Sequence, residues 1–199
     1  MKLSRPGGGE SMDAILKRLQ EEKDLGRRRL LLVGFLSSAL KDTDAKPVVV
    51  GGQAVEIYTM GDYTTNDLDL VTPHRNQVGE ALESLGFTKA SGARHWINEE
   101  LDLAVEIPDS KLAGSQDLLL EVAIEEFAVF VIGFEDLIID RLNAFVHWKS
   151  VSDYEQALKI YLNHHQDLDQ KYLGKQAKAN MVEDGLRKLR SDGLKYSSS

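Results

Sequence analysis

Five residues, Asp67-Leu68-Asp69-Leu70-Val71, constrain this chain more than any other stretch. In a β-strand successive side chains point to opposite faces, so Leu68 and Leu70 enter a core while Asp67 and Asp69 project together from the other side. Such a strand needs a hydrophobic layer beneath it and an open, polar face above. Two carboxylates held this close repel one another, and the face they share favours a cation. All-oxygen donors select a hard ion, Mg2+ or Mn2+, over zinc.

Upstream, Pro47-Val-Val-Val50 reads as a short buried strand that stops abruptly at Gly51-Gly52. Without Cβ atoms, these two residues let the backbone approach a phosphate and aim N–H groups at it. A tight turn needing positive φ would use the same pair. Downstream, residues 101–107 alternate again, with Leu101, Leu103, Val105 and Ile107 on one face and Asp102, Ala104 and Glu106 on the other. Laid beside residues 67–71, that strand brings Glu106 to the two aspartates as a third carboxylate. An ordinary strand with one wetted face shows the same pattern.

Around these strands the chain predicts helices and turns. Ser11 caps a first helix carrying Ile15, Leu16 and Leu19, Gly26 breaks it, and a second helix runs toward Lys41. Residues 42–46 are turn chemistry, 53–60 a short helix, 61–66 a polar turn, and 77–85 a helix stopped by Gly86. Strands are expected at 87–89, 95–98 and 129–132, followed by helices over 134–148, 152–162 and 167–189, the last split at Gly174. The domain reading is a flexible tail at 1–10, an α/β core at 11–133, a helical C-terminal region packed on it at 134–192, and a second tail at 193–199.

Composition narrows the classes. At 42% hydrophobic and 28% charged residues, the chain is an ordinary globular sequence. It has no cysteine, which excludes disulfides, thiolate zinc sites and cysteine nucleophiles and fits a cytoplasmic setting. The longest apolar run, residues 30–36, is far too short to span a bilayer, so no membrane partner is expected. A net charge of −8 argues against non-specific DNA binding. From Lys171 to Lys195, however, seven basic residues face three acids, a local excess of +4. A solvated helical face accounts for it, and a polyanion contact would use it.

Residues 47–71, PVVVGGQAVEIYTMGDYTTNDLDLV, resemble the signature of the nucleotidyltransferase superfamily in its minimal bacterial form. That form includes nucleotidyltransferase antitoxins and abortive-infection toxins of the AbiEii type. The pattern is a hydrophobic strand, Gly-Gly or Gly-Ser, a short helix with a small residue, then Thr-x-Asp-hydrophobic-Asp. Its places fall on Gly51, Gly52, Ala54, Thr65, Asp67 and Asp69. A looser resemblance over residues 134–160 adds Asp140, Arg141 and Asp153. Arg141 could equally serve as an ion-pair partner of Asp136 or Glu135, and Asp153 as a helix-start acid. Departures are Gly52 in place of the usual serine, Tyr63 where relatives carry a basic residue, and Glu106 in place of aspartate.

The resemblance implies an α+β fold, a central mixed sheet flanked by helices with a helical C-terminal extension. It further implies a metal-dependent nucleotidyltransferase moving NMP from an NTP to a hydroxyl. Asp67, Asp69 and Glu106 would be catalytic and ligate Mg2+ or Mn2+, and Gly51, Gly52, Thr65 and Arg141 would bind the nucleotide. The acceptor would be an RNA end or a protein hydroxyl, with a cognate toxin or antitoxin as partner. A catalytically silent binding or antitoxin module of the same fold is the alternative. A calcium loop at 62–69 lacks EF-hand spacing. His147, His164 and His165 are assigned no catalytic part, since adjacent helical histidines diverge by about 100°.

Overall fold

The computed structural model describes residues 11–40, 46–89 and 93–196. The tail expected at 1–10, the last three residues of the one expected at 193–199, and nearly all of the turn at 42–46 fall outside the described residues. The fold is α+β, and the chain separates into two compact units. The first comprises Met1–Gln53, Thr65–Leu112 and Leu119–Val131; the second comprises Ala54–Thr64, Ala113–Leu118 and Ile132–Ser199. Two short segments, 54–64 and 113–118, thus belong with the C-terminal helices.

In the first unit, β1 (Val48–Val50) lies inside a six-stranded mixed sheet. Its neighbours are β2 (Asp67–Val71), antiparallel, and β6 (Phe127–Val131), parallel. Beyond β2 comes β4 (Leu103–Glu106), parallel, then β3 (His95–Asn98), antiparallel, at one edge. β5 (Leu120–Ile124) forms the other edge as a hairpin with β6. The register puts Leu68, Leu70, Val49, Val131, Val105 and Trp96 on one face, all 9% exposed or less. The alternation of the sequence therefore matches the observed burial over residues 67–70 and in β4, whereas β3 exposes Ile97 and buries Asn98.

Three helices complete this unit. α1 (Met12–Glu21) starts at Ser11, whose hydroxyl accepts the Ala14 N–H at 3.2 Å. α2 (Leu25–Ala39) starts at Asp24, which accepts the Arg27 N–H at 2.7 Å. Such caps contribute about 1 kcal/mol each. Gly26 therefore lies in the first turn of α2 rather than between the helices, because the break is made by the Asp24 cap. α2 buries a continuous run, Leu31 to Leu36, and meets the hairpin at Gly34. A Cβ on Gly34 would lie 2.5 Å from Phe127 Cβ. Gly34→Ala gains helix propensity of about 1 kcal/mol but overpacks this contact by about 1–3 kcal/mol. The expected result is a lower melting temperature, by up to about 8 °C; an unchanged or raised value would mean that the hairpin shifts freely. α4 (Arg75–Ser84) packs Gly79 against Trp96 of β3.

The hairpin tip is held by charge. Glu125 has φ 52°, and its carboxylate takes both Arg18 and Arg27, the latter at 2.6 Å. Arg18 also reaches Glu126 at 2.6 Å. Hydrogen bonds from Arg18, then Arg27, hold the Glu125 carboxyl below its usual range.

The second unit is a helical layer: α5 (Phe134–Trp148), α6 (Val151–His164), α7 (Gln170–Ala179) and α8 (Glu183–Tyr196). Its core contains Leu137, Leu142, Ile160, Leu173 and Leu189, all fully buried. The break near the end of the chain falls at Met181, φ 58°, and Gly174 sits inside α7. α8 also runs past residue 192, through most of the stretch expected as a tail. Asp136, 4% exposed, accepts the Ser115 N–H and the Tyr172 hydroxyl, both at 2.8 Å. Glu135 accepts the Asp169 N–H at 2.6 Å. No helix among the described residues is long and apolar enough to cross a membrane.

Candidate active site

The candidate site grows from the junction of β1 with α3 (Gly51–Tyr58), whose first residues, to Gln53, belong to the first unit. β1 ends where Gly51 takes φ +61°, a conformation that L side chains rarely adopt. This turn starts α3 at the glycines themselves, two residues earlier than the sequence predicts. The close approach is equally demanding. A Cβ on Gly51 would land on Asp69 Oδ2 and lie 3.0 Å from its Cγ, and one on Gly52 would lie 2.8 Å from Thr65 Oγ1. The pair therefore lets the Asp69 carboxylate and the Thr65 hydroxyl come down onto bare backbone. Thr65 in turn accepts the Asp67 N–H at 3.3 Å, which fixes the start of β2.

Register assembles the rest. Val50 pairs with Asp69, Asp69 with Glu106, and Glu106 with His95, a single row across β1, β2, β4 and β3. Asp67 stands one step along the same face, opposite Ala104. Asp67 and His95 are exposed, Asp69 and Glu106 half-buried. Directly opposed positions place their Cβ atoms about 5 Å apart, so Asp69 and Glu106 are like charges on adjacent strands, an arrangement that destabilises a bare sheet. Glu106 meets an imidazole on its far side, His95 Nε2 at 3.2 Å from Oε2. Among the described residues, no three histidine or acidic side chains are gathered around one point as a ready metal cluster. Register holds the Asp69 and Glu106 carboxylates on adjacent strands of one face, with Asp67 a step along it. Their chemistry, oxygen donors beside a backbone cleared of Cβ atoms, still fits a hard divalent cation.

His95 was not singled out in the sequence. The pairing of β3 with β4 sets it opposite Glu106, and the sequence His-Trp-Ile-Asn, with Ile97 on the same face, carries no polar–apolar alternation that announces it.

Arg141 belongs to the second unit. Its guanidinium bonds Asp153 Oδ1 at 2.8 Å, Gln156 Oε1 at 3.3 Å and, through Nε, Asp140 Oδ2 at 3.0 Å. The motif residues Asp140, Arg141 and Asp153 are thus brought together as an ion-pair clamp between α5 and α6. Of the two alternatives the sequence left for Arg141, an ion pair forms, but with Asp140 and Asp153 rather than Asp136 or Glu135. Those acids are buried on other faces of α5, committed to Ser115, Tyr172 and Asp169. Asp153 also takes the Ser150 hydroxyl, at the N-cap of α6.

No family model matches this chain, and no curated protein does. Among solved structures, the solution structure of the antibiotic-resistance factor ANT(2'')-Ia is similar, with a TM-score of 0.49 and 14% sequence identity. The similarity covers 85% of this chain and 96% of that one.

Proposed function

We propose that the first unit binds a nucleoside triphosphate and transfers its nucleotidyl group to a hydroxyl acceptor with the help of Mg2+ or Mn2+. One observation carries the reading: the Asp69 carboxylate is seated against the Gly51 backbone, with Asp67 on its own strand and Glu106 in register across from it. Asp67 and Asp69, with Glu106, are the residues that would hold the metal. When bound, the metal supplies positive charge to the triphosphate and lowers the pKa of a coordinated acceptor. The first N–H groups of α3 have no intrahelical acceptor and are available to phosphate oxygens, and Gly51 and Gly52 clear the approach. Thr65 holds the strand start so that Asp67 and Asp69 keep one direction. Catalysis then consists of positioning and charge stabilisation. Any triphosphate contact by Arg141 requires it to give up part of its pairing with Asp140 and Asp153. The acceptor is read as an RNA end or a partner-protein hydroxyl, in a cytoplasmic toxin–antitoxin or defence setting.

A specific observation favours a second reading, a catalytically silent module of the same fold: Glu106 is engaged by His95, and Gly52 offers no hydroxyl. Incubation with each labelled NTP, with and without Mg2+, total tRNA and cell protein, separates the two. Metal-dependent label on one acceptor is the expected outcome. No transfer, together with no metal-dependent NTP binding, selects the silent module.

A further inference from the structure

One end of the helical unit carries exposed groups that the proposed chemistry does not use. Lys171, Lys175 and Lys178 recur at i, i+4 and i+7 on the outer side of α7, opposite the buried Leu173 and Ala177. Among the described residues none of the three ammonium groups has an acidic partner. The neighbouring helix differs, since Arg187 pairs with Asp184, and Asp192 takes Lys188 at 2.6 Å and Lys195 at 2.7 Å. Two of the three acids in this stretch are therefore consumed on α8, and the excess charge is concentrated on α7. Arg190 reaches back to Gln170 Oε1 at 2.9 Å and extends the basic row at its start.

A second observation lies at the far end of the row. His147 Nε2 is 3.2 Å from the Asn180 carbonyl oxygen, and Asn143 donates to Asn180 Oδ1 at 3.4 Å. These bonds tie the end of α5 to the end of α7, with Trp148 next in sequence to His147 and Met181 next to Asn180. Trp148 is 78% exposed and Met181 76%. A bare indole on the helix end that is tied to α7, and a row of uncompensated lysines along α7, supply the two parts of a single-strand platform, a ring for a base and cations for phosphates. A protein partner fits less well, because lysine is depleted in protein interfaces and their cores exclude charge.

We propose that the outer face of α7 together with Trp148 is a docking surface for single-stranded nucleic acid, its phosphates following Lys171, Lys175 and Lys178 and one base stacking on Trp148. The lysines span about 10 Å of helix, room for about three nucleotides at about 3.4 Å each. This surface does not depend on the nucleotidyl-transfer reading, since it needs neither NTP nor metal.

The test is fluorescence anisotropy of labelled 12-nucleotide RNA and DNA strands with the full chain, without nucleotide or metal. The chain is expected to bind with a Kd on the order of 10 μM near physiological salt, the tighter strand identifying the natural one. Lys171→Glu/Lys175→Glu/Lys178→Glu weakens binding at least about tenfold, and loss of three phosphate contacts lowers the salt slope by about 2. Trp148→Ala weakens it about five- to tenfold and Trp148→Phe much less. All four positions are exposed, and unchanged melting curves confirm that the variants fold. No binding by the wild type, or equal binding by the lysine variant, overturns the proposal. So does a change of oligomeric state on Trp148→Ala without a change in strand affinity, which assigns the patch to a second protein copy. A chain carrying Asp67→Asn/Asp69→Asn binds the strand as wild type does, and strand binding by a wild type that shows no metal-dependent transfer counts against the transferase reading alone.

Discussion

Asparagine at both Asp67 and Asp69 lowers metal-dependent nucleotidyl transfer by about a thousandfold or more, while the protein remains folded. The two side chains keep their shape and lose only charge. Removing one well-placed charge-stabilising group commonly costs a factor of about 10²–10³, and here both carboxylates of the strand face go at once. Stability moves the other way or not at all, because Asp69 faces Glu106 across the strands and relief of like-charge repulsion favours the sheet. Label transfer and a thermal melt on the same preparation measure both effects. Transfer at the wild-type rate would remove Asp67 and Asp69 from the mechanism. Collapse of the melt would show that they serve the fold.

Asp136→Ala produces the largest loss of stability. The carboxylate is 4% exposed and accepts two hydrogen bonds, from Ser115 N and Tyr172 Oη. Its removal leaves both donors without their partner and empties space beside Gly114, where a Cβ would meet Oδ2 at 2.5 Å. The expected cost is about 3–5 kcal/mol, a fall in melting temperature of about 6–20 °C. Tyr172 provides an independent readout. Burial, and then its bond to Asp136, pushes its hydroxyl up from 10.0 to about 12. The folded value lies above the unfolded one, so this stabilisation is complete below pH 10 and is lost as pH rises toward 12. In Asp136→Ala the tyrosinate absorbance of Tyr172, isolated by difference against Tyr172→Phe, appears at lower pH. A melt within about 1 °C of wild type, with the Tyr172 titration unmoved, would show that water replaces the carboxylate without loss.

The sheet face of the site was legible because alternation alone decides it. β2 and β3 run over the residues the pattern predicts, and Glu106 falls in register with Asp69 as the pairing of the two strands requires. The misses share a physical cause. Breaks were placed at Gly26 and Gly174, both of which lie inside helices, whereas the chain turns at non-glycine residues with positive φ. Glu125 forms the β5–β6 turn, Asp102 shortens β4 to Leu103, and Met181 separates α7 from α8. A left-handed residue with a Cβ costs about 1–2 kcal/mol, and only tertiary contacts compensate for it, as the two arginines on Glu125 do. Local propensity carries no trace of such contacts. β5 was missed for this reason, since its hairpin lacks the Asn-Gly or Asp-Gly that announces one. The clamp on Arg141 was equally hidden, because its choice of Asp153 over Asp136 depends on how α6 folds back along α5.

The place of β1 in the sheet has a consequence for synthesis. Its parallel partner β6, and the hairpin acids that grip Arg18 and Arg27, are encoded about 80–110 residues downstream of the segments they join. At about 5–20 residues per second, ribosomes deliver those partners some 4–20 s later. Through that interval α2 waits with Leu31, Leu32, Phe35 and Leu36 uncovered by the strands that later bury them. The first unit is therefore a late folder on the ribosome, and the helical elements made after Val131 emerge only as its sheet is able to close.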